Sequence, residues 1–176
     1  MQFRRTNPDE VDRVMDILAD GRASLAALGI DQWQGSYPEL NVILDDVESG
    51  ASHVVEDEGL LIATAMVGFG GESRYDLIDE GNWLTQSTSD DPHYAVVHRM
   101  AVAAESRGRG AATFLLSAAE DLAREQGCES LRIETHPGND PMHKLLERQE
   151  FTRCGIVRVD YVDGGNPERV AYEKIL

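Results

Sequence analysis

Two cysteines are all that a chain of 176 residues holds. Cys128 and Cys154 cannot build a disulfide framework, and they fall short of a zinc set. They read as small apolar residues buried in a reducing compartment. Positive charge is scarce as well: 16 Lys and Arg stand against 32 Asp and Glu, a formal net charge of -16. Contact with nucleic-acid phosphates needs a basic face, so that partner is excluded, and an anionic membrane surface with it. No apolar run nears the ~18 residues of a membrane span, and the N-terminal stretch has no apolar signal core. The expected location is the cytoplasm. No internal repeat or low-complexity tract is present. A Walker loop would need Gly-Lys-Ser/Thr, and a dinucleotide fold would need Gly-x-Gly-x-x-Gly after the first strand. The sequence has neither in place. No His/Cys/Asp/Glu spacing suggests a metal site, so no metal is expected.

What is present suits one domain over residues 1–176, with enough apolar side chains for a buried core. Residues 1–5 read as a strand. Thr6-Asn7-Pro8-Asp9-Glu10 is a helix start, and Val11, Val14, Met15 and Leu18 follow at helical spacing to about Leu28. Asp31 to Tyr37 is a loop with two aromatics, and Pro38 opens a second helix that ends near Gly50. Residues 51–56 and 60–67 form a hairpin around Asp57-Glu58-Gly59. A polar, irregular insert runs from Gly70 to Pro92, with Tyr75 and Trp83 inside it. His93 to Val102 is a strand, and a helix closed by Gly127 follows, its buried face made by Ala112, Leu115, Ala119, Leu122 and Ala123. A strand over 129–135, a short helix over 142–149 and two strands, 151–160 and 170–176, finish the chain. This order predicts a mixed α/β sheet with helices on both faces.

The most telling stretch is Arg107-Gly108-Arg109-Gly110-Ala111-Ala112. A strand leads into it and a helix leaves it. Unpaired N–H groups at a helix start point at an anion. Gly108 and Gly110 let backbone approach closely, Ala111 and Ala112 keep side chains short, and the two arginines add charged donors. On so acidic a chain, a phosphate site must be locally basic in this way.

The order and the loop resemble the GNAT superfamily of acyl-CoA N-acyltransferases. The family's Arg/Gln-x-x-Gly-x-Gly/Ala motif after the fourth strand stands here as Arg107-x-x-Gly110-x-Ala112. Its later Asn-x-x-Ala-x-x-Leu-Tyr appears as Asn139-x-x-Met142-x-x-Leu145-Leu146, followed by Glu150-Phe151 where the family shows Gly-Phe. The resemblance implies a mostly antiparallel sheet, acetyl-CoA as cosubstrate, and its pyrophosphate on the amides of residues 107–112. It implies a fourth and fifth strand splayed around the pantetheine arm, which would bond backbone near Met100 and Val102 and the amide of Asn139. It implies a Met100 N–H as oxyanion donor, and an acceptor pocket shaped by Trp33, Gln34 and Tyr37. A homodimer is common in the family and is a further implication. The tyrosine that often protonates the leaving thiolate is Leu146 here, which leaves Tyr161, Tyr172 or solvent.

Acyl transfer needs a neutral amine, and about one lysine-like amine in 2,500 is neutral at pH 7. A base must remove the proton. Strand alternation puts Val96, His98, Met100 and Val102 on one face, with His98 about 7 Å upstream of Met100. His98 is the candidate base. Glu134 and His136 close the fifth strand opposite the expected thioester; Glu134 would orient a base or pair with an arginine, and His136 would border the acceptor. His53, His93 and His143 read as surface residues. Asp76 to Glu80 would draw a cationic amine. The expected reaction is acetyl transfer to the primary amine of a small molecule or peptide, by direct attack in a ternary complex. A non-catalytic acyl-CoA sensor or interaction module, suggested by Leu146, and a plain structural domain stay open at this point.

Overall fold

The computed structural model describes residues 1–160 and 165–176. In chain order the elements are β1 (Gln2–Arg5), α1 (Val11–Ala27), α2 (Leu40–Glu48), β2 (Ser52–Asp57), β3 (Leu60–Gly68), β4 (Tyr94–Val102), α3 (Ala111–Glu125), β5 (Ser130–Thr135), α4 (Asp140–Arg148), β6 (Thr152–Arg158) and β7 (Glu168–Ile175). The seven strands form one sheet ordered β1-β2-β3-β4-β5-β7-β6. Every neighbouring pair is antiparallel except β4 and β5. A parallel pair needs a crossover, and α3 is that crossover. The mixed α/β class and the order of elements follow the sequence reading.

The strands are two-sided. Val54 packs with Val14, Ile17 and Ile43 from α1 and α2, while Val55 packs with Leu115, Ala119 and Leu146 from α3 and α4. Side chains of period two therefore send α1 and α2 to one face and α3 and α4 to the other. On α3 the buried apolar side chains are Ala111, Leu115, Leu116, Ala119 and Ala123; Ala112 and Leu122 sit at the margin of that face.

Three local readings change. Glu39 is extended, with φ -85 and ψ 162, so α2 opens at Leu40 and Pro38 precedes it. His53 is buried and stacked on Phe3 at 4.8 Å, because β2 lies inside the sheet between β1 and β3. His143 is half-covered, with its Nδ1 on the Tyr172 hydroxyl at 2.8 Å. Only His93 is a surface histidine, 3.3 Å from Asp91.

The insert is ordered by one buried ion pair. Arg132 on β5 and Glu173 on β7 are register partners, both wholly covered, with Nε 2.9 Å from Oε1. Glu173 also accepts from Ser130 Oγ and Thr85 Oγ1, at 2.6 and 2.7 Å, and from the N–H groups of Leu84 and Thr85. The Arg132 guanidinium lies between the rings of Tyr94 and Trp83, at 3.9 and 4.3 Å. Trp83 donates to the Tyr75 carbonyl at 2.6 Å. Tyr75 and Trp83 thus plug the sheet face that α1 and α2 leave bare.

Candidate active site

β4 and β5 pair only from Tyr94↔Ser130 to Val97↔Ile133. Beyond that point the strands part, and a cleft of about 750 Å³ opens between them. β4 is also bulged there. Its register with β3 passes from Met66↔His98 to Thr64↔Ala101, so Arg99 and Met100 stand outside the ladder. Arg99 has φ +52, an uncommon conformation for a side chain of this size. The bulge sets Arg99 and Met100, both on the cleft wall, out of register with β3.

The bulge also overturns the expected alternation. Val96 and His98 point to the insert side, while Met100 and Val102 pack toward α3. One extra residue on β4 reverses every side chain after it. His98 and Met100 both line the cleft, but from different faces of the sheet.

At one end of the cleft stands the start of α3. Gly110 is its N-cap at φ 84, and Gly108 has φ 75. A Cβ at either glycine would meet no protein atom within 4 Å. Glycine is required there for its left-handed backbone and not for space within the fold. Phe114 N–H makes the bond to the Gly110 carbonyl, so Ala111, Ala112 and Thr113 precede the first intrahelical hydrogen bond. No side chain caps the helix, and its first turn holds no acid. Ala112 lines the cleft, and so does Arg107, whose Nη2 donates to the Asp20 carbonyl at 2.8 Å. Arg109 turns away to an exposed ion pair with Asp57 at 3.3 Å. Ala111 buries its methyl in the core. Farther along, Asn139 caps α4 through its carbonyl, and its amide donates to Thr135 Oγ1 at 3.1 Å.

At the other end four elements bring charged groups together. His98 Nε2 is 2.9 Å from Glu72 Oε1, and its Nδ1 is 3.4 Å from Glu134 Oε2. Arg74 Nη2 lies 3.4 Å from Glu72 Oε2 and 3.4 Å from Glu134 Oε1. The Tyr75 hydroxyl donates to Glu134. Burial pushes Tyr75 well above the ordinary tyrosine value, and the Glu134 charge adds to that, so Tyr75 stays a donor. Burial would raise the pKa of Glu72, but the hydrogen bond from His98 and the charges of His98, Arg74 and Arg99 outweigh it and hold that carboxyl below the ordinary value. Arg99 holds α2 and the loop that carries Tyr37 to the cleft: Nε and Nη2 grip Asp46 at 2.8 and 2.7 Å, and Nη1 donates to the Tyr37 hydroxyl at 2.6 Å.

Trp33 and Tyr37 line the cleft. Trp33 lies on Gly21 of α1, where a Cβ would stand 3.1 Å from its ring and 3.1 Å from Ala101. Gln34 does not reach the cleft, because its amide is spent on the carbonyls of Arg22 and Gln32, both at 3.1 Å. His136 is outside as well, 3.3 Å from Asp31, with Nδ1 accepting the Gly138 N–H. Burial and then Arg169 hold His136 below the ordinary histidine value. The Asp76–Glu80 run is used structurally: Asp76 accepts from Ser89, and Asp79 pairs with Ile156. Leu146 is wholly buried, and Tyr172 gives its hydroxyl to His143, away from the cleft lining. Tyr161 lies outside the described residues. Burial pushes the Cys154 thiol up to about 11, which keeps it inert. Among the described residues no His, Cys, Asp and Glu group could hold a metal ion, and no helix is long and apolar enough to cross a membrane.

Sequence reasoning missed Glu72, Arg74, Asp46 and Arg99. They sit in an aperiodic insert, on α2 and at the bulge, and no local pattern marks them.

Residues 19–151 match the model of the Acetyltransferase (GNAT) family. A solved GNAT-family acetyltransferase from Streptococcus agalactiae is 34% identical, with a TM-score of 0.86 over 99% of this chain and 95% of that one. The ribosomal-protein-alanine N-acetyltransferase of Brucella melitensis shares the fold at 20% identity and TM-score 0.70, over 100% of both chains. A GNAT-family acetyltransferase from Listeria monocytogenes does so at 19% and 0.72, over 99% and 94%. No curated protein matches the chain.

Proposed function

The chain belongs to the GNAT acetyltransferase family, and we propose that it transfers an acetyl group from acetyl-CoA to the primary amine of a small molecule or peptide. One observation carries this reading. A single cleft runs between diverging strands from an uncapped helix start to a cluster of two carboxylates and an imidazole. Residues fit the cosubstrate: two glycines with left-handed backbone, short side chains and no acid face the place where a diphosphate would lie.

Acetyl-CoA supplies a thioester carbonyl as electrophile and a thiolate that leaves. The amides that open α3 hold the diphosphate, with Arg107 beside them. Backbone at the Met100 bulge offers an N–H to the carbonyl oxygen. Asn139 and Val102 border the arm. Trp33 and Tyr37 wall the acceptor, and the His98–Glu134 pair takes the amine's proton. No tyrosine stands at Leu146, so protonation of the thiolate falls to Tyr161 or solvent.

The test is thiol release from acetyl-CoA with a panel of amines, products read by mass spectrometry. At least one amine is acetylated by the wild type. His98→Gln lowers kcat about 10²–10⁴-fold while acetyl-CoA still binds. Tight binding with no release for any amine would favour a non-catalytic acyl-CoA sensor and overturn the enzyme reading.

A further inference from the structure

His98 belongs to β4, but the groups that decide where its hydrogens sit come from elsewhere. The insert brings Glu72, Arg74 and Tyr75 against it, and β5 brings Glu134. Its own strand adds Tyr94 behind and Arg99 ahead. Two of these make opposite demands on Nε2. Glu72 Oε1 is 2.9 Å away and accepts, while Arg74 Nη2 is 3.1 Å away and only donates. The carboxylate is nearer, and Arg74 Nη2 has carboxylate oxygens of its own on Glu72 and Glu134. Against the burial that would raise it, the charges of Arg74 and Arg99 are among those that hold the Glu72 carboxyl below its ordinary value, so it accepts at neutral pH. Nε2 therefore keeps its hydrogen whether the ring is neutral or charged. The proton that comes and goes is the one at Nδ1, on the side of Glu134, which lines the cleft.

We propose that Glu72 is a positioning residue for the His98 base, fixing Nε2–H toward the insert and Nδ1 toward the cleft, and balancing the imidazolium that forms. The step moves one proton. An N–H bond of the acceptor's ammonium breaks, the proton reaches Nδ1 directly or across Glu134, and the amine keeps the electron pair with which it attacks. Charge balance favours the transfer. With a neutral ring, the carboxylates of Glu72 and Glu134 against the one guanidinium of Arg74 leave a single negative charge; the arriving proton cancels it. The role parallels that of a carboxylate behind a catalytic histidine on an unrelated scaffold. The 70–92 insert thereby acquires a role in the chemistry, since it carries the residue that sets the ring's tautomer.

This inference takes its proton donor from the acyl-transfer reading, but the state of the ring does not depend on that reading. Two measurements separate them. Long-range proton–nitrogen NMR on the unliganded wild type, with His98 assigned by loss of its signals in His98→Gln, reads the tautomer directly. The expected pattern is hydrogen on Nε2; hydrogen on Nδ1 in the neutral ring overturns the inference even if the protein acetylates amines. Steady-state kinetics on Glu72→Gln then read the charge. The Glu72 backbone N–H donates to the Tyr94 hydroxyl at 2.8 Å and survives the substitution, so the insert stays in place. Expected are a kcat lower by about 10²-fold and an unchanged acetyl-CoA affinity. Losing a negative charge disfavours the charged ring, so the acid limb of kcat/KM moves to lower pH. Glu72→Asp, which keeps the charge but shortens the reach, recovers part of the rate. An unmoved acid limb, or full activity in Glu72→Gln, overturns the inference. A wild type that shows Nε2–H but releases no thiol with any amine overturns the acyl-transfer reading alone.

Discussion

Glu173→Gln isolates the ion pair that pins the insert to the sheet. The substitution keeps shape, removes one charge and sets an NH2 group against donors where an oxygen accepted. It leaves the Arg132 guanidinium wholly buried between Tyr94 and Trp83 with no anion beside it. Breaking such a pair from one side costs about 3–5 kcal/mol, most of it the burden of the orphaned charge. That is a large part of the roughly 5–15 kcal/mol that holds a domain folded. At about 2–4 °C per kcal/mol for a chain of this size, the melting temperature falls by about 6–20 °C. The pH dependence has a definite sign. Burial would raise the Glu173 carboxyl, but the hydrogen bonds from Ser130, Thr85 and Arg132 more than offset it, leaving it below the ordinary 4.5. A carboxyl lowered in the folded state stabilises fully above its unfolded value and loses that contribution as pH falls. The gap between wild type and variant is therefore widest at pH 7 and closes below about pH 4.5. Urea unfolding across that range measures it. A gap below about 1 kcal/mol at pH 7, or one that ignores pH, refutes the reasoning.

Gly21→Ala on α1 sets two effects against each other. Alanine gains about 1 kcal/mol of helix propensity, but its Cβ would stand 3.1 Å from both Trp33 and Ala101, and overpacking costs about 1–3 kcal/mol. Trp33 is the part that yields, so KM for the acceptor rises while acetyl-CoA affinity holds; an unchanged acceptor KM would remove Trp33 from the pocket. Glu10 is held at about 2, chiefly by its hydrogen bonds from Arg4, with the Asn7 N–H adding to them. Glu10→Gln therefore lowers the melting temperature at pH 7, and the difference shrinks as pH drops from about 4.5 toward about 2; a difference constant with pH would contradict the assignment.

Periodicity exposes what is regular. Helical spacing in Val11, Val14 and Leu18 and alternation in residues 130–135 place their elements to within a few residues. The glycine-arginine loop is legible as a helix start because its positive φ at 108 and 110 calls for glycine at both. The β4 bulge is not legible. Nothing in Tyr94–Val102 marks where one residue falls out of register, and that slip moved Met100 and Val102 to the opposite face from His98. The insert is opaque for a different reason. Its order comes from Arg132 and Glu173, on distant strands, and local pattern carries no information about partners that far along the chain. Gln34 and His136 do not line the cleft, and neighbouring backbone and Asp31 hold their polar atoms. Arg109 likewise pairs with Asp57.

The central claim is that main-chain amides at the start of α3 hold the carrier's diphosphate. Titration calorimetry of coenzyme A into the wild type and Gly110→Asp tests it most directly. A Cβ at 110 would meet no protein atom within 4 Å, so in a variant that remains folded a loss of binding beyond the backbone strain reports on the ligand's approach and on charge repulsion. The expected result is binding by the wild type and a loss of at least about 100-fold, ~2.7 kcal/mol, in a variant that remains folded. Wild-type affinity in folded Gly110→Asp would contradict it.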